Sequence, residues 1–72
     1  MSEKERIALL EEIMDLEEGT LKLNDELSSF AEWDSLSALS FIAEMDDRFG
    51  KKVTGEQIKK FVTVADAIAV ME

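Results

Sequence analysis

Four helix starts are written into this chain, and no proline stands anywhere to break the segments behind them. Ser2 with Glu5 and Thr54 with Gln57 have the spacing of a capping box. In that arrangement the first side chain accepts the amide three residues on, and the second reaches back to the first amide. Asp34 and Thr63 are capping residues ahead of two further apolar stripes, with Asp66 in the first turn after Thr63. In a chain punctuated in this way the dominant signal is helical.

Behind Ser2, the residues Ile7, Leu10 and Met14 recur at helical spacing, with Leu9 and Ile13 beside them. Gly19 suits the left-handed residue that follows a helix. The first helix is therefore expected over Glu3 to Glu17. Behind Asp34, the second helix is expected to run to Phe49. Its inward stripe would be Leu36, Leu39, Ile42, Met45 and Phe49, with Phe41 on the shoulder. Gly50 closes it, and Arg48, Lys51 and Lys52 suit its negative end. Val53 and Ile58 have the positions of a hydrophobic staple around Thr54, opening a short third helix from Gly55 to Phe61. Val64, Ile68 and Met71 line a fourth.

Between the first two helices, Thr20 to Trp33 follow no single period. Asn24, Asp25, Ser28 and Ser29 favour turns, while Leu21, Leu23, Leu27, Phe30 and Trp33 are large anchors. This is the pattern of a long ordered loop, and such loops inside a small domain usually serve a function. Nothing reads as a strand. The expected fold is all-α: a small bundle of three longer helices and one short helix, with a long loop between helices 1 and 2, in a single domain over residues 1–72.

Missing residue types narrow the chemistry. The chain has no cysteine and no histidine. It can form no disulfide, offer no thiolate and build no Ser–His–Asp triad. A zinc site is disfavoured on the same ground. Asn24, Asp25 and Glu26 lack the spacing of a calcium loop, so no metal is expected. A chain this small also has little room for a substrate cleft, so it is not expected to be an enzyme. The net charge of −9 repels nucleic acid and anionic membrane and suits basic protein surfaces. No apolar stretch is long enough to span a membrane. "MSEKERIALL" lacks the basic start and apolar core of a signal peptide, and a cytoplasmic monomer is expected.

Ser35 stands apart from this background. It follows Asp34 at the join between the long loop and the second helix, where an N1 side chain points to solvent. Amides at a helix N-terminus, together with the helix dipole, favour an anion placed there. A carried cofactor would also supply chemistry that these side chains lack.

"WDSLSALSFIAEMDDRFG", Trp33 to Gly50, resembles the attachment segment and following helix of acyl carrier proteins. Asp34, Ser35 and Leu36 match that family's Asp-Ser-Leu triplet. Leu39, Ile42, Met45 and Phe49 match the apolar positions after it, and "TVADAI" resembles the start of its last helix. The resemblance covers the whole chain. It implies that Ser35 carries 4′-phosphopantetheine through a phosphodiester, flanked by Asp34, which caps the helix, and Leu36, which anchors the site to the core. It implies loading by a phosphopantetheinyl transferase and docking of acyl-transfer and condensing enzymes through their basic patches. Phe41, Glu44, Asp46 and Asp47 are the expected docking residues. Leu39, Ile42, Met45, Ile58, Phe61 and Ile68 would line a space for the acyl chain.

Some positions depart from the family. Trp33 stands where many fatty-acid carriers have a small residue, and Ser37 and Ser40 stand where they commonly have acids. "KKVTGEQI" lacks their usual proline. These differences point to a specialised acyl pathway as readily as to fatty-acid or polyketide-type synthesis. An unmodified acidic helical module that binds a basic partner is the rival reading.

Overall fold

The computed structural model describes residues 1–71. Its helices are α1 (Glu3–Ile13), α2 (Ser35–Phe49), α3 (Gly55–Lys59) and α4 (Val64–Ile68), with a 3-10 turn (Leu27–Ser29) in the α1–α2 connection. No strand is formed among the described residues; pairing is limited to one isolated antiparallel bridge between Glu26 and Thr63. The fold is therefore the expected all-helical one, but with two longer helices and two short ones: α4, like α3, has five residues, and α3 ends at Lys59 rather than Phe61. Every α-helix opens on a reciprocal capping box: Ser2 with Glu5, Asp34 with Ser37, Thr54 with Gln57, and Thr63 with Asp66.

α1 stops four residues short of the expected end, at Ile13 rather than Glu17. Asp15, not Gly19, takes the left-handed conformation that ends it, at φ 59°. The Leu16 amide then donates back to the Glu11 carbonyl at 2.8 Å, and the Asp15 amide to the Glu12 carbonyl at 3.1 Å. This closes the helix in a Schellman motif. Gly19, at φ 91°, sits in the following turn. Gly50, at φ 65°, ends α2 as expected.

The long connection is ordered because both its ends are tied down. Near its start, the buried Glu11 carboxylate accepts the Leu21 amide at 2.8 Å. Further on, the segment is stitched to the start of α4. Leu27 donates to the Val62 carbonyl at 2.9 Å, Val64 to the Asp25 carbonyl at 3.0 Å, and Ala65 to the Leu23 carbonyl at 3.2 Å. Leu21 and Leu27 enter the core as anchors.

That core joins Leu9 and Leu10 of α1 and its C-cap Met14 to Phe41 and Met45 of α2, Val53, Ile58 of α3, and Val64, Ile68 and Met71. Here the structure corrects the expected face of α2. Phe41 is fully buried, whereas Leu36 is 73% and Leu39 64% exposed. The helix carries more apolar residues than one face can bury. Aromatic packing selects the face: Phe41 meets Trp33 edge-on at 6.0 Å and Phe61 at 5.6 Å between ring centroids. Such pairs add to simple area burial. At about 100° per residue, seating Phe41 and Met45 inward turns Leu36, Leu39 and Ala43 to the opposite side. Ile42 and Phe49 lie half-buried at the margin.

Candidate functional site

The site is built at the N-terminus of α2. Asp34 has extended backbone, φ −125° and ψ −170°, and its Oδ1 accepts the Ser37 amide at 3.0 Å. Ser37 folds back, so that its Oγ accepts the Asp34 amide at 2.8 Å and donates to the Asp34 carbonyl at 3.0 Å. Ser35 and Leu36 lie between these two residues, and both are exposed. Ser35 opens a helix of 15 residues. Neither its amide nor that of Leu36 has a hydrogen-bond partner among the described residues. Two free donors therefore lie at the positive end of the helix, beside an exposed hydroxyl.

The other hydroxyls are differently occupied. Ser2, Thr54 and Thr63 accept amides as N-caps. Thr20 and Ser29 each donate to a carbonyl three residues back, at 2.6 Å. Ser37 is buried in the cap. Ser28 lies in the 3-10 turn and Ser40 in the interior of α2. Among these side chains, Ser35 alone combines a helix N-terminus with an unengaged, exposed oxygen. A cleft of about 310 Å³ adjoins it, lined by Ile13, Met14 and Asp15 of the α1 end and by Glu32, Asp34, Leu36, Ser37 and Ser40.

The expected docking residues separate. Phe41 offers no surface to a partner, because it is the centre of the aromatic packing. Glu44 is half-buried and hydrogen-bonded to Arg48, and Asp46 pairs with Lys52 at 2.8 Å. Asp47 is exposed with no ion pair among the described residues. Leu36 does not anchor the site to the core; Trp33, half-buried against Phe41, does so from the preceding turn. Of the expected acyl-space residues, Met45, Ile58 and Ile68 are core, Ile42 and Phe61 pack against it, and Leu39 faces away. Ser37, not among the expected site residues, is the cap partner of Asp34, and its position three residues on is the capping-box spacing that signals it. Among the described residues, no group of three or more acids is arranged to hold a metal ion.

A family model described as phosphopantetheine attachment site matches residues 7–71. The chain belongs to the acyl carrier protein family. It is 31% identical over 71 residues to an acyl carrier protein of Beutenbergia cavernae, across 93% of this chain and 87% of that one. No solved structure matches it significantly.

A family member of this kind takes a covalent 4′-phosphopantetheine group. The residues at the α2 N-terminus fit such a group: the two unpartnered amides and the helix dipole suit the anionic phosphodiester by which it is joined. Members are carriers rather than catalysts, and their partners are phosphopantetheinyl transferases and acyl-handling enzymes. No helix among the described residues is long and apolar enough to cross a membrane.

Proposed function

We propose that Ser35 is the residue to which phosphopantetheine is joined, and that the protein carries acyl intermediates for a specialised pathway of the fatty-acid or polyketide type. One observation carries the assignment: Ser35 is exposed at the first position of α2, beside the free amides of Ser35 and Leu36. When bound, the group supplies a thiol, which this cysteine-free chain lacks, to hold acyl groups as thioesters. The chain's own part is to hold the attachment point rigid and to present a surface around it. Asp34 caps the helix through Oδ1 and keeps its charged head in solvent.

The docking surface is the outward stripe of α2. Leu36, Leu39 and Ala43 are its apolar part, and Asp46 and Asp47 follow them. Ser40 is uncharged and Ser37 is turned inward, so the first turns after Asp34 present no acid. That supports partners other than housekeeping fatty-acid enzymes, whose basic patches would find fewer charges to read. The unit acts as a single monomeric domain in the cytoplasm.

The test is loading. With coenzyme A and a broad-specificity transferase, intact mass should show one phosphopantetheine adduct. Ser35→Ala should take none and keep its helical circular dichroism, since an exposed N1 side chain makes little buried contact. An adduct on Ser35→Ala would overturn the assignment.

A further inference from the structure

We propose that Ser37 is a positioning residue for the modification of Ser35, acting through Asp34; this rests on the assignment of Ser35 as the attachment site. Three hydrogen bonds join Ser37 to Asp34. The Ser37 amide donates to Asp34 Oδ1 at 3.0 Å, the Asp34 amide donates to Ser37 Oγ at 2.8 Å, and Ser37 Oγ donates to the Asp34 carbonyl at 3.0 Å. They close a ring around Ser35 and Leu36, the two residues between. Ser37 is only 5% exposed, so its hydroxyl is unavailable to a partner and is spent on this ring.

The other helices do without the third bond. At the same position they carry Glu5, Gln57 and Asp66, whose oxygens accept the N-cap amide but do not donate to its carbonyl. The carboxylates of Glu5 and Asp66 have no proton to give, and Gln57 meets its N-cap through Oε1. Serine is short enough to lie under the turn and is both donor and acceptor. It fixes the Asp34 backbone on both sides of its α-carbon without adding a second charge beside Asp34. The consequence is a Ser35 backbone, and with it the direction of the Cα–Cβ bond that carries the hydroxyl, held in place before any enzyme arrives. Preorganisation of this kind raises the rate of a bound reactant, because less ordering is left to do in the complex.

The experiment uses the unmodified protein, coenzyme A and a broad-specificity transferase in excess, in single-turnover mode. Ser37→Ala removes Oγ and leaves Asp34 and Ser35 in place. Val53→Ala, a buried site elsewhere in the core, serves as a control that lowers stability without touching the ring. Loading of Ser37→Ala should slow about tenfold at saturating transferase, as for the loss of about one hydrogen bond's worth of ordering. The half-saturating transferase concentration should stay within about twofold, because the docking surface is intact. Amide exchange at Asp34 should accelerate in Ser37→Ala and not in Val53→Ala. Val53→Ala should load at the wild-type rate. Wild-type loading by Ser37→Ala would overturn the proposal while leaving the Ser35 assignment standing. So would a defect confined to half-saturation, or an equal slowing in Val53→Ala. Loading of Ser35→Ala would instead overturn the assignment itself.

Discussion

The carboxylate of Glu11, a residue 2% exposed in the last turn of α1, accepts the backbone amide of Leu21 at 2.8 Å. One side chain thus fixes the first bend of the long connection to the helix it has just left. The rest of the connection reaches α4 through backbone bonds alone, so Glu11 is the side-chain tie that sets where the loop departs.

Removing that tie should cost more than an average surface change. Glu11→Ala leaves the buried Leu21 amide without a partner, which costs about 1–3 kcal/mol. Total stability for a chain of this length is about 4–10 kcal/mol. The melting temperature should therefore fall by about 5–20 °C, at about 4–8 °C per kcal/mol. Glu11→Gln, which keeps an acceptor, should lose less. Urea denaturation followed by circular dichroism measures both, and equal stability of Glu11→Ala and wild type would refute the role.

Asp15 invites the opposite change. It holds φ 59° at the C-terminal end of α1, where a β-carbon is unfavourable and a negative charge faces the negative end of the helix. Nothing basic stands in the last turn of α1 to offset it. Asp15→Gly should raise stability by about 0.5–1 kcal/mol, after allowing for the greater freedom of glycine in the unfolded chain. A lower denaturation midpoint would show that Asp15 makes a contribution that outweighs its backbone cost.

Acid should act through the caps. Hydrogen bonds from the Thr63 and Val62 amides hold the Asp66 carboxyl below its ordinary range, and the Ser2 amide and hydroxyl do the same for Glu5. A carboxylate whose folded pKa is depressed stabilises the fold above its unfolded value and loses that contribution as pH falls through the folded one. Asp66→Asn should therefore be less stable than wild type at pH 7. The gap should narrow below about pH 4 and vanish once both side chains are neutral. A gap independent of pH would mean that the charge on Asp66 adds nothing.

With 17 acids against eight bases, repulsion within the fold is a term of its own. Added salt screens it over about 8–10 Å at 0.10–0.15 M. The melting temperature should rise from very low to physiological ionic strength. A flat or falling curve would indicate that the surface pairs Glu44–Arg48 and Asp46–Lys52 matter more than the net charge.

Much of this was legible in the chain because the signals were local. A cap needs only its own turn, so Ser2, Asp34, Thr54 and Thr63 marked the helix starts, and Gly50 marked an end by its backbone freedom. The loop anchors Leu21 and Leu27 were legible as large apolar residues among turn formers. What failed depended on distant partners. Leu36, Leu39, Ile42 and Met45 have the same helical spacing as any inward stripe. Only the meeting of Phe41 with Trp33 and Phe61 decides which side faces in. Likewise the stop at Asp15 is fixed by backbone bonds that favour Gly or Asn, and an aspartate there carries little warning.

That same turning of α2 yields a test in which packing and docking come apart. Phe41 is fully buried, so Phe41→Ala should cost about 3–5 kcal/mol, enough to bring so small a domain near unfolding. Leu36 and Leu39 are largely in solvent, so Leu36→Ala and Leu39→Ala should change stability by less than about 0.5 kcal/mol. If α2 docks through its outward stripe, these two substitutions should instead weaken loading by the transferase. Full burial of a leucine is worth about 1.5–3 kcal/mol, and partial burial at an interface somewhat less. About 1.4 kcal/mol is tenfold, so each should raise the half-saturating transferase concentration about five- to tenfold at an unchanged saturated rate. The effect should persist at high salt, because it is apolar. Asp47→Asn should differ in kind: a rim charge alters association and loses its influence as salt rises. Wild-type loading by the double variant Leu36→Ala, Leu39→Ala would place the docking surface elsewhere on the molecule, however well Ser35 itself is modified.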